Sequence, residues 1–444
     1  MTNPIIQNTV NVDNEAFSLK SFFLTFFKNT LFQHSAIYIV ASFLKVFIPF
    51  LLFPILTHYL TPADYGITAT FSILCQIYLI IIGLNSSSAL AINFFKMEDE
   101  TEYKIYIGNS LLIIGISFLV IFFISCFLKS FLARIIKIPE GLFLLIPCVV
   151  LGNLFSTFIL TLWQVKRKPL SFALFQISQV LFGFMISLPL VIIFKLGWRG
   201  VIWSNALTAF IFGLTAIFII CKKNHIMTCF RSHYVKDILK IGVPLIPHSI
   251  GGWVMAGIDR FFINSMVNVA ATGIYSVGYQ VGIVIDLLFH SFNTAWVPFL
   301  FGKLKKDNPA INLKIVKFTY LTFIFIVSLS FLLSFAAPLI LKLLVAKTFY
   351  PASNYVSWIT LGSAANAMYY LVVNYIFFAK KTYALACTTV FSGIMHIILN
   401  YFLILYRGPI GAAQATTISA ILNFGLVWYM SNRVYPMPWS LKSK

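Results

Sequence analysis

The chain has 444 residues, 60% of them hydrophobic and only 10% charged, with a mean hydropathy of +0.91. Soluble domains carry about a quarter charged residues, so a water-soluble globular protein is excluded and the chain reads as an all-α polytopic membrane protein. Its net charge of +20 is first a topological signal, since cytoplasmic loops collect Lys and Arg, and no nucleic-acid partner is expected.

Residues 1–34 read as a cytoplasmic segment. Within it, Ser21 to Lys28 is short, aromatic and flanked by Lys20 and Lys28, the pattern of an interfacial helix. A membrane span needs about 20 apolar residues. Twelve runs qualify, at about 35–57, 65–92, 105–128, 141–162, 170–194, 199–221, 239–264, 272–300, 316–341, 353–379, 383–406 and 410–431. They divide the chain into a first six-helix lobe at 35–221, a basic cytoplasmic linker at 222–238, a second six-helix lobe at 239–431 and a cytoplasmic tail at 432–444. With the amino terminus in the cytoplasm, only Lys129, Arg134, Lys137, Lys195, Arg199, Lys342, Lys347 and Arg407 fall in loops on the far side. Lys45 and Arg260 lie inside spans, and all other Lys and Arg are cytoplasmic, a clear positive-inside bias.

The halves resemble each other. Leu60-Thr-Pro-Ala-Asp-Tyr-Gly66 enters span two, as Val267-Asn-Val-Ala-Ala-Thr-Gly273 enters span eight. Gly197-Trp-Arg-Gly200 opens span six, as Gly408-Pro-Ile-Gly411 opens span twelve. The offsets, 207 and 211 residues, are nearly equal, which predicts a duplicated six-helix unit in parallel orientation. These glycines read as helix starts and close-packing positions.

The six cysteines are dispersed without CxxC spacing, so neither a disulfide framework nor a metal site follows, and no cofactor is expected. No GxSxG, HExxH, Walker A or GxGxxG motif appears. Only 12 Asp and Glu are present, too few on loops for a membrane glycosyltransferase, polymerase or ligase. The chain is not expected to be an enzyme.

The middle of the sequence carries a more specific pattern. Leu239-Lys240-Ile241-Gly242-Val243-Pro244-Leu245-Ile246-Pro247-His248 is followed by Asp259-Arg260-Phe261-Phe262-Ile263 and then by Gly273-Ile274-Tyr275-Ser276-Val277-Gly278-Tyr279. In order and spacing these resemble the polysaccharide and O-antigen flippases of the multidrug/oligosaccharidyl-lipid/polysaccharide exporter superfamily, as does the Leu60–Gly66 tract. The resemblance runs more loosely from about residue 35 to 431. It implies two lobes around a central cavity in a bacterial inner membrane. The implied function is to turn an undecaprenyl-diphosphate-linked oligosaccharide, an O-antigen or similar repeat unit, from the cytoplasmic to the periplasmic leaflet. Membrane lipid, polysaccharide-assembly proteins and a coupling proton or sodium ion are the partners this implies. The alternative is a multidrug or metabolite antiporter of the same superfamily.

Several spans place polar residues on one helical side: Tyr38, Ser42, Lys45 and Pro49; Tyr279, Asp286, His290 and Asn293; Asn366, Tyr370 and Asn374; Thr389, Ser392, His396 and Asn400. Lipid penalises such faces, so they turn inward, where interhelical hydrogen bonding competes with function as their purpose. Lys45 is a candidate substrate-facing cation. Arg260 is either a second one or the partner of Asp259 at a helix end. His248 follows Pro247, where freed carbonyls need donors. Asp286 and His290 are either an i,i+4 hydrogen bond or an ion-coupling pair. Tyr279 and Asn293 complete the candidate cavity. Cationic groups suit an anionic diphosphate, whereas cationic drugs would want carboxylates. Reporter fusions at about residues 65 and 270 should report the exterior, and those at about 167, 230 and 305 the interior; a reversal between 230 and 270 would overturn the seventh span.

Overall fold

A computed structural model describes residues 30–222, 226–227, 229–305 and 308–441. The interfacial helix expected at 21–28 lies outside the described residues. The described residues form fifteen α-helices and two short 3-10 turns, with no strand. Eleven of these segments are long and apolar enough to cross a membrane, or twelve when one bent pair is counted as a single span. Their outward surfaces are apolar, with Phe127 and Phe335 almost fully exposed, as a lipid-facing surface requires.

In the amino-terminal half, α1 (Thr30–Tyr59), α2 (Pro62–Gly83), α3 (Ser86–Phe94), α4 (Glu100–Ile136), α5 (Leu142–Val165), α6 (Pro169–Ile192) and α7 (Trp198–Lys222) follow in order. In the carboxyl-terminal half, α8 (Ser232–Gly242), α9 (Ile246–Met266), α10 (Val269–Gly282), α11 (Val284–Leu304), α12 (Pro309–Leu344), α13 (Ser353–Phe378), α14 (Thr382–Arg407) and α15 (Pro409–Val434) repeat the pattern. The repeat is visible at the level of caps. Thr61 and Asn268, 207 residues apart, are both extended N-cap residues whose side chains accept the amide of the residue three positions on, at 3.1 and 2.8 Å. Gly197 and Gly408, 211 residues apart, both hold a positive φ, +56° and +63°, a conformation glycine adopts without strain.

Three expected spans take a different form. The second ends at Gly83, where Leu84 and Asn85 turn left-handed (φ 45° and 50°), and resumes as α3. The chain turns there so that Gly242 can seat against the Leu84 carbonyl, which a Cβ on Gly242 would approach to 2.1 Å. The seventh is broken at 243–245 around Pro244, as its prolines lead one to expect, but it begins earlier than expected, since α8 makes the end of the linker helical. The eighth bends by 41° at Ile283 into α10 and α11. α4 and α12 are longer than expected, at 37 and 36 residues, and draw Lys129, Arg134 and Lys342 into helix.

The broken seventh span bridges the halves. α8 docks on the amino-terminal helices: Arg231 forms an ion pair with Glu102 at 2.9 Å, and Asp237 accepts hydrogen bonds from Asn93 (3.0 Å) and Tyr106 (2.9 Å). α9 packs against α14, and the Trp253 indole of α9 donates to the Ile73 carbonyl of α2 at 2.9 Å.

At the opposite end of the bundle α2 and α10 cross backbone to backbone. A Cβ on Gly66 would stand 2.0 Å from the Val269 carbonyl oxygen, and one on Gly273 would stand 1.9 Å from that of Pro62. Each glycine faces the repeat counterpart of the other's neighbour, so the contact is self-complementary. Around it Phe53, Leu60, Tyr65 and Val191 of the first half pack with Val277, Val281, Leu341 and Phe349 of the second. Gly273→Ala should therefore lower the melting temperature of the detergent-solubilised protein by several degrees, because the methyl has a carbonyl to displace. Gly252→Ala, whose Cβ would meet nothing within 4 Å, should be neutral or slightly stabilising. Equal melting temperatures for the two variants would refute the close crossing.

Candidate functional site

Beneath that crossing lies a cavity of about 620 Å³. It is lined by Pro49 and Phe53 of α1, by Thr68, Ser72 and Gln76 of α2 and by Asn153 of α5. Gln179 and Ser187 of α6, Ser204, Asn205 and Thr208 of α7, Arg260 of α9 and Ser276 and Gln280 of α10 continue the wall, and apolar side chains such as Leu52, Ile73, Val180 and Phe184 complete it. The α2 residues fall four apart, one stripe of that helix. Among the lining residues Arg260 is the one charged side chain, and no Asp or Glu is present. The Tyr65 hydroxyl donates to the Gln280 amide oxygen at 2.8 Å across the two halves.

Arg260 is held chiefly by two contacts, with the Tyr275 ring centroid farther off at 5.9 Å. One guanidinium N–H donates to the Ala256 carbonyl at 3.0 Å, and the group stacks over the Tyr279 ring, 4.1 Å from its centroid. Such a cation–π contact is worth about 2 kcal/mol when desolvated and offsets part of the cost of a cation at membrane depth. A guanidinium has five N–H donors, so the face toward the cavity keeps donors for an anion. Bidentate binding of phosphate is the chemistry this group does best.

Asp259 points elsewhere. Consecutive helical residues diverge by about 100°, and this turns Asp259 into the interior of the second half, fully buried. Its carboxylate accepts from the Tyr275 hydroxyl and from Thr416 at 3.1 Å, and lies 3.4 Å from His396 Nε2. His396 contacts Ser419 at 3.1 Å through Nδ1, and the Asn400 amide lies 3.1 Å from its Nε2. Of the two readings of Arg260, the pair with Asp259 is not seen: no ion pair joins them among the described residues, because the side chains leave the helix in different directions and both meet Tyr275, whose hydroxyl donates to Asp259 and whose ring centroid lies 5.9 Å from the guanidinium.

Family comparisons agree with this architecture. The family model described as polysaccharide biosynthesis protein matches residues 31–303, well over half of the chain. The chain belongs to this polysaccharide biosynthesis family. A Haemophilus influenzae protein named "Lsg locus putative protein 1" is 22% identical over 411 residues, covering 89% of this chain and 97% of that protein. Among solved structures, one titled "Lipid II flippase MurJ, inward closed conformation" matches with a TM-score of 0.70 at 15% identity, covering 90% of this chain and 87% of that one. An inward-facing multidrug resistance MATE family transporter of the MOP superfamily matches with a TM-score of 0.63 at 16% identity, covering 88% and 94%. At such identities the likeness shows the fold, which is that of the MOP superfamily.

Within this member of the family the other candidates from the sequence separate. Lys45 is exposed on α1, one turn before the cavity-lining Pro49, and forms no ion pair among the described residues. His248 is exposed and caps no carbonyl, since the 3-10 turn at 243–245 continues the chain's own hydrogen bonding there. The bend at Ile283 runs through the expected face of span eight. Tyr279 stacks with Arg260, whereas Asp286 and His290 both turn toward Tyr370 and share no hydrogen bond among the described residues. One Asp286 carboxylate oxygen is buried without a hydrogen-bond partner. Asn293 accepts from Asn374 at 2.8 Å, a bond between α11 and α13.

The sequence reading did not single out Gln76, Asn153, Gln179 and Asn205, each a lone amide in an apolar run, or the role of His396 as neighbour of Asp259. His396 does sit on a face the periodicity had marked. Asp259→Ala should remove the acceptor that Tyr275, Thr416 and His396 share, at about 1–3 kcal/mol for each buried group left short of a partner, and lower the melting temperature. His396→Ala in the same background should add less than it does alone; full additivity of the two losses would mean that the residues are not coupled.

Proposed function

We propose that the protein is a flippase for an undecaprenyl-diphosphate-linked oligosaccharide, an O-antigen or similar polysaccharide repeat unit. It would carry this substrate by alternating access from the cytoplasmic to the periplasmic leaflet of a bacterial inner membrane, with both termini cytoplasmic. Membership of the polysaccharide biosynthesis family supports a glycan-related cargo. The similar structure titled as a lipid II flippase shares the fold. The observation that carries the reading is Arg260: a stacked cation on the wall of an otherwise neutral cavity, lined by polar and apolar side chains, that lies next to the Gly66–Gly273 crossing.

The task sets the chemistry. A sugar and an anionic diphosphate must cross a polar interior while the lipid tail stays in the bilayer. Arg260 would meet the diphosphate, and the exposed Lys45, one turn along α1 from the cavity wall, would meet it on the way in. Parting of α2 from α10 would open the cavity at that crossing. A cationic drug would want carboxylates on the wall, and the lining has none, which weighs against a multidrug antiporter. Asp286, with one oxygen unpartnered beside Tyr370 and near His290, is the site we assign to a coupling proton or sodium ion. Polysaccharide-assembly proteins of the same membrane would consume the product.

The test is complementation of a flippase-deficient strain, read as surface polysaccharide and normalised to membrane-inserted protein. Arg260→Ala should cut export about tenfold or more at unchanged protein level. Arg260→Lys should keep part of it, since it retains charge without the fork, and Lys45→Ala should lose export as well. Asp286→Asn should remove the dependence of export on pH or sodium. Full export from Arg260→Ala would sink the anion site, and an unchanged ion response in Asp286→Asn would leave that residue as packing.

A further inference from the structure

Gln76, Asn153, Gln179 and Asn205 come from four different helices, α2, α5, α6 and α7, and line the same cavity. None of these side-chain amides has a hydrogen-bond partner among the described residues; Asn153 is bonded only through its backbone carbonyl, which accepts from Thr157. Beside them Ser187, 5% exposed, lines the cavity with its hydroxyl equally unpartnered. Elsewhere in this bundle Asn93, Asn109, Asn264 and Asn374 donate to another helix or carbonyl; Gln176, Asn312 and Asn400 each keep one buried oxygen without a partner, but none of the three lines this cavity. Convergence of four unused amides on one cavity therefore calls for a ligand.

Their chemistry selects it. An amide offers two donors and an acceptor with two lone pairs, so it can both give to and take from a hydroxyl. It carries no net charge, so it has no strong preference for an ion over a neutral hydroxyl. Four amides and a hydroxyl spread around a cavity of this size match a polyhydroxyl ring, whose groups donate and accept all round. An anion would want N–H donors alone, and a cation carboxylates. From this convergence we infer that the amino-terminal half holds a neutral-glycan subsite, in which Gln76, Asn153, Gln179 and Asn205 bind the sugar nearest the lipid while Arg260 at the rim holds the diphosphate. The inference rests on the flippase reading above and divides its substrate between two parts of the wall. A site built to hydrogen-bond a hydroxyl discriminates strongly against a ligand that lacks it, because its own polar groups are then left unpaired.

The test uses the full-length protein in detergent and two probes, undecaprenyl diphosphate and the same lipid bearing one N-acetylhexosamine, with binding followed by thermophoresis. Wild type should bind the sugar-bearing lipid at least about tenfold more tightly than the bare one. Gln76→Leu and Gln179→Leu should each erase most of that margin and leave affinity for the bare lipid unchanged, which also reports that the variants are folded. Gln179→Asn, a shorter amide, should keep part of the margin, and Arg260→Ala should weaken both probes. A wild type with no margin, or Leu variants that keep it, overturns the glycan subsite and leaves the diphosphate site standing. If wild type binds neither lipid, the flippase reading falls. A free N-acetylhexosamine disaccharide then decides the amides: binding that Gln76→Leu abolishes sustains the glycan site, and no binding overturns both.

Discussion

At the crossing of α2 and α10 backbone meets backbone, and the placement of the site follows from it. Gly66 and Gly273 leave no room for a Cβ, so the two helices approach more closely than side chains would allow. Without a hydrophobic driving force between helices in lipid, such small-residue contacts are what hold spans together. The closeness brings Tyr65 within hydrogen-bonding reach of Gln280 and packs an apolar plug from both halves around the junction. It also fixes α10, and with it Tyr279, on which Arg260 of the preceding helix stacks. Joining of the two halves and presentation of the cation are thus two consequences of one contact. Because the contact is built from repeat-related positions, it can be broken symmetrically, which suits a part that opens and shuts.

Two adjacent residues, Asp259 and Arg260, do different things because a helix turns about 100° per residue. The carboxylate is sealed among Tyr275, Thr416 and His396 and ties α9 to the second half. The guanidinium faces the cavity with only part of its hydrogen-bonding capacity used. A buried carboxylate with several donors is costly to disturb, so it is well suited to hold α9 while the neighbouring cation exchanges partners. Meanwhile α8, the other piece of the same broken span, is tied by Asp237 and Arg231 to the first half. The break at 243–245 lets one span belong to both halves, and such interruptions mark working regions of transporters.

Much of this was legible in the sequence. Hydrophobic run length gave the helical class and nearly all the spans, because lipid admits only segments whose backbone groups are satisfied internally. The repeat showed at Gly66 and Gly273 and at Gly197 and Gly408, since a close crossing and a positive φ both demand glycine wherever the duplicated unit places them. Arg260 stood out because a cation in an apolar run has few explanations. The turn at Leu84 and Asn85 was not legible, as neither residue signals a left-handed backbone; packing against Gly242 imposes it. The bend at Ile283 was equally silent, and it set Tyr279 and Asp286 on separate helices.

What the sequence by itself determined is what one-dimensional physics can carry: an insoluble composition, spans of membrane length, a duplicated unit, and a short roster of ionisable groups too expensive to sit in lipid without a purpose. Only the tertiary structure decided which of those groups share a compartment. Asp259 and Arg260 are neighbours in the chain yet form no ion pair among the described residues, whereas Asp259 and His396, 137 residues apart, touch. Gln76, Asn153, Gln179 and Asn205 are unremarked singly and become a site only together. The physical reason is that a polar side chain in a membrane helix is defined by what the other helices bring to it, and that depends on rotation and tilt set by packing, for which hydrophobicity along one span holds no record.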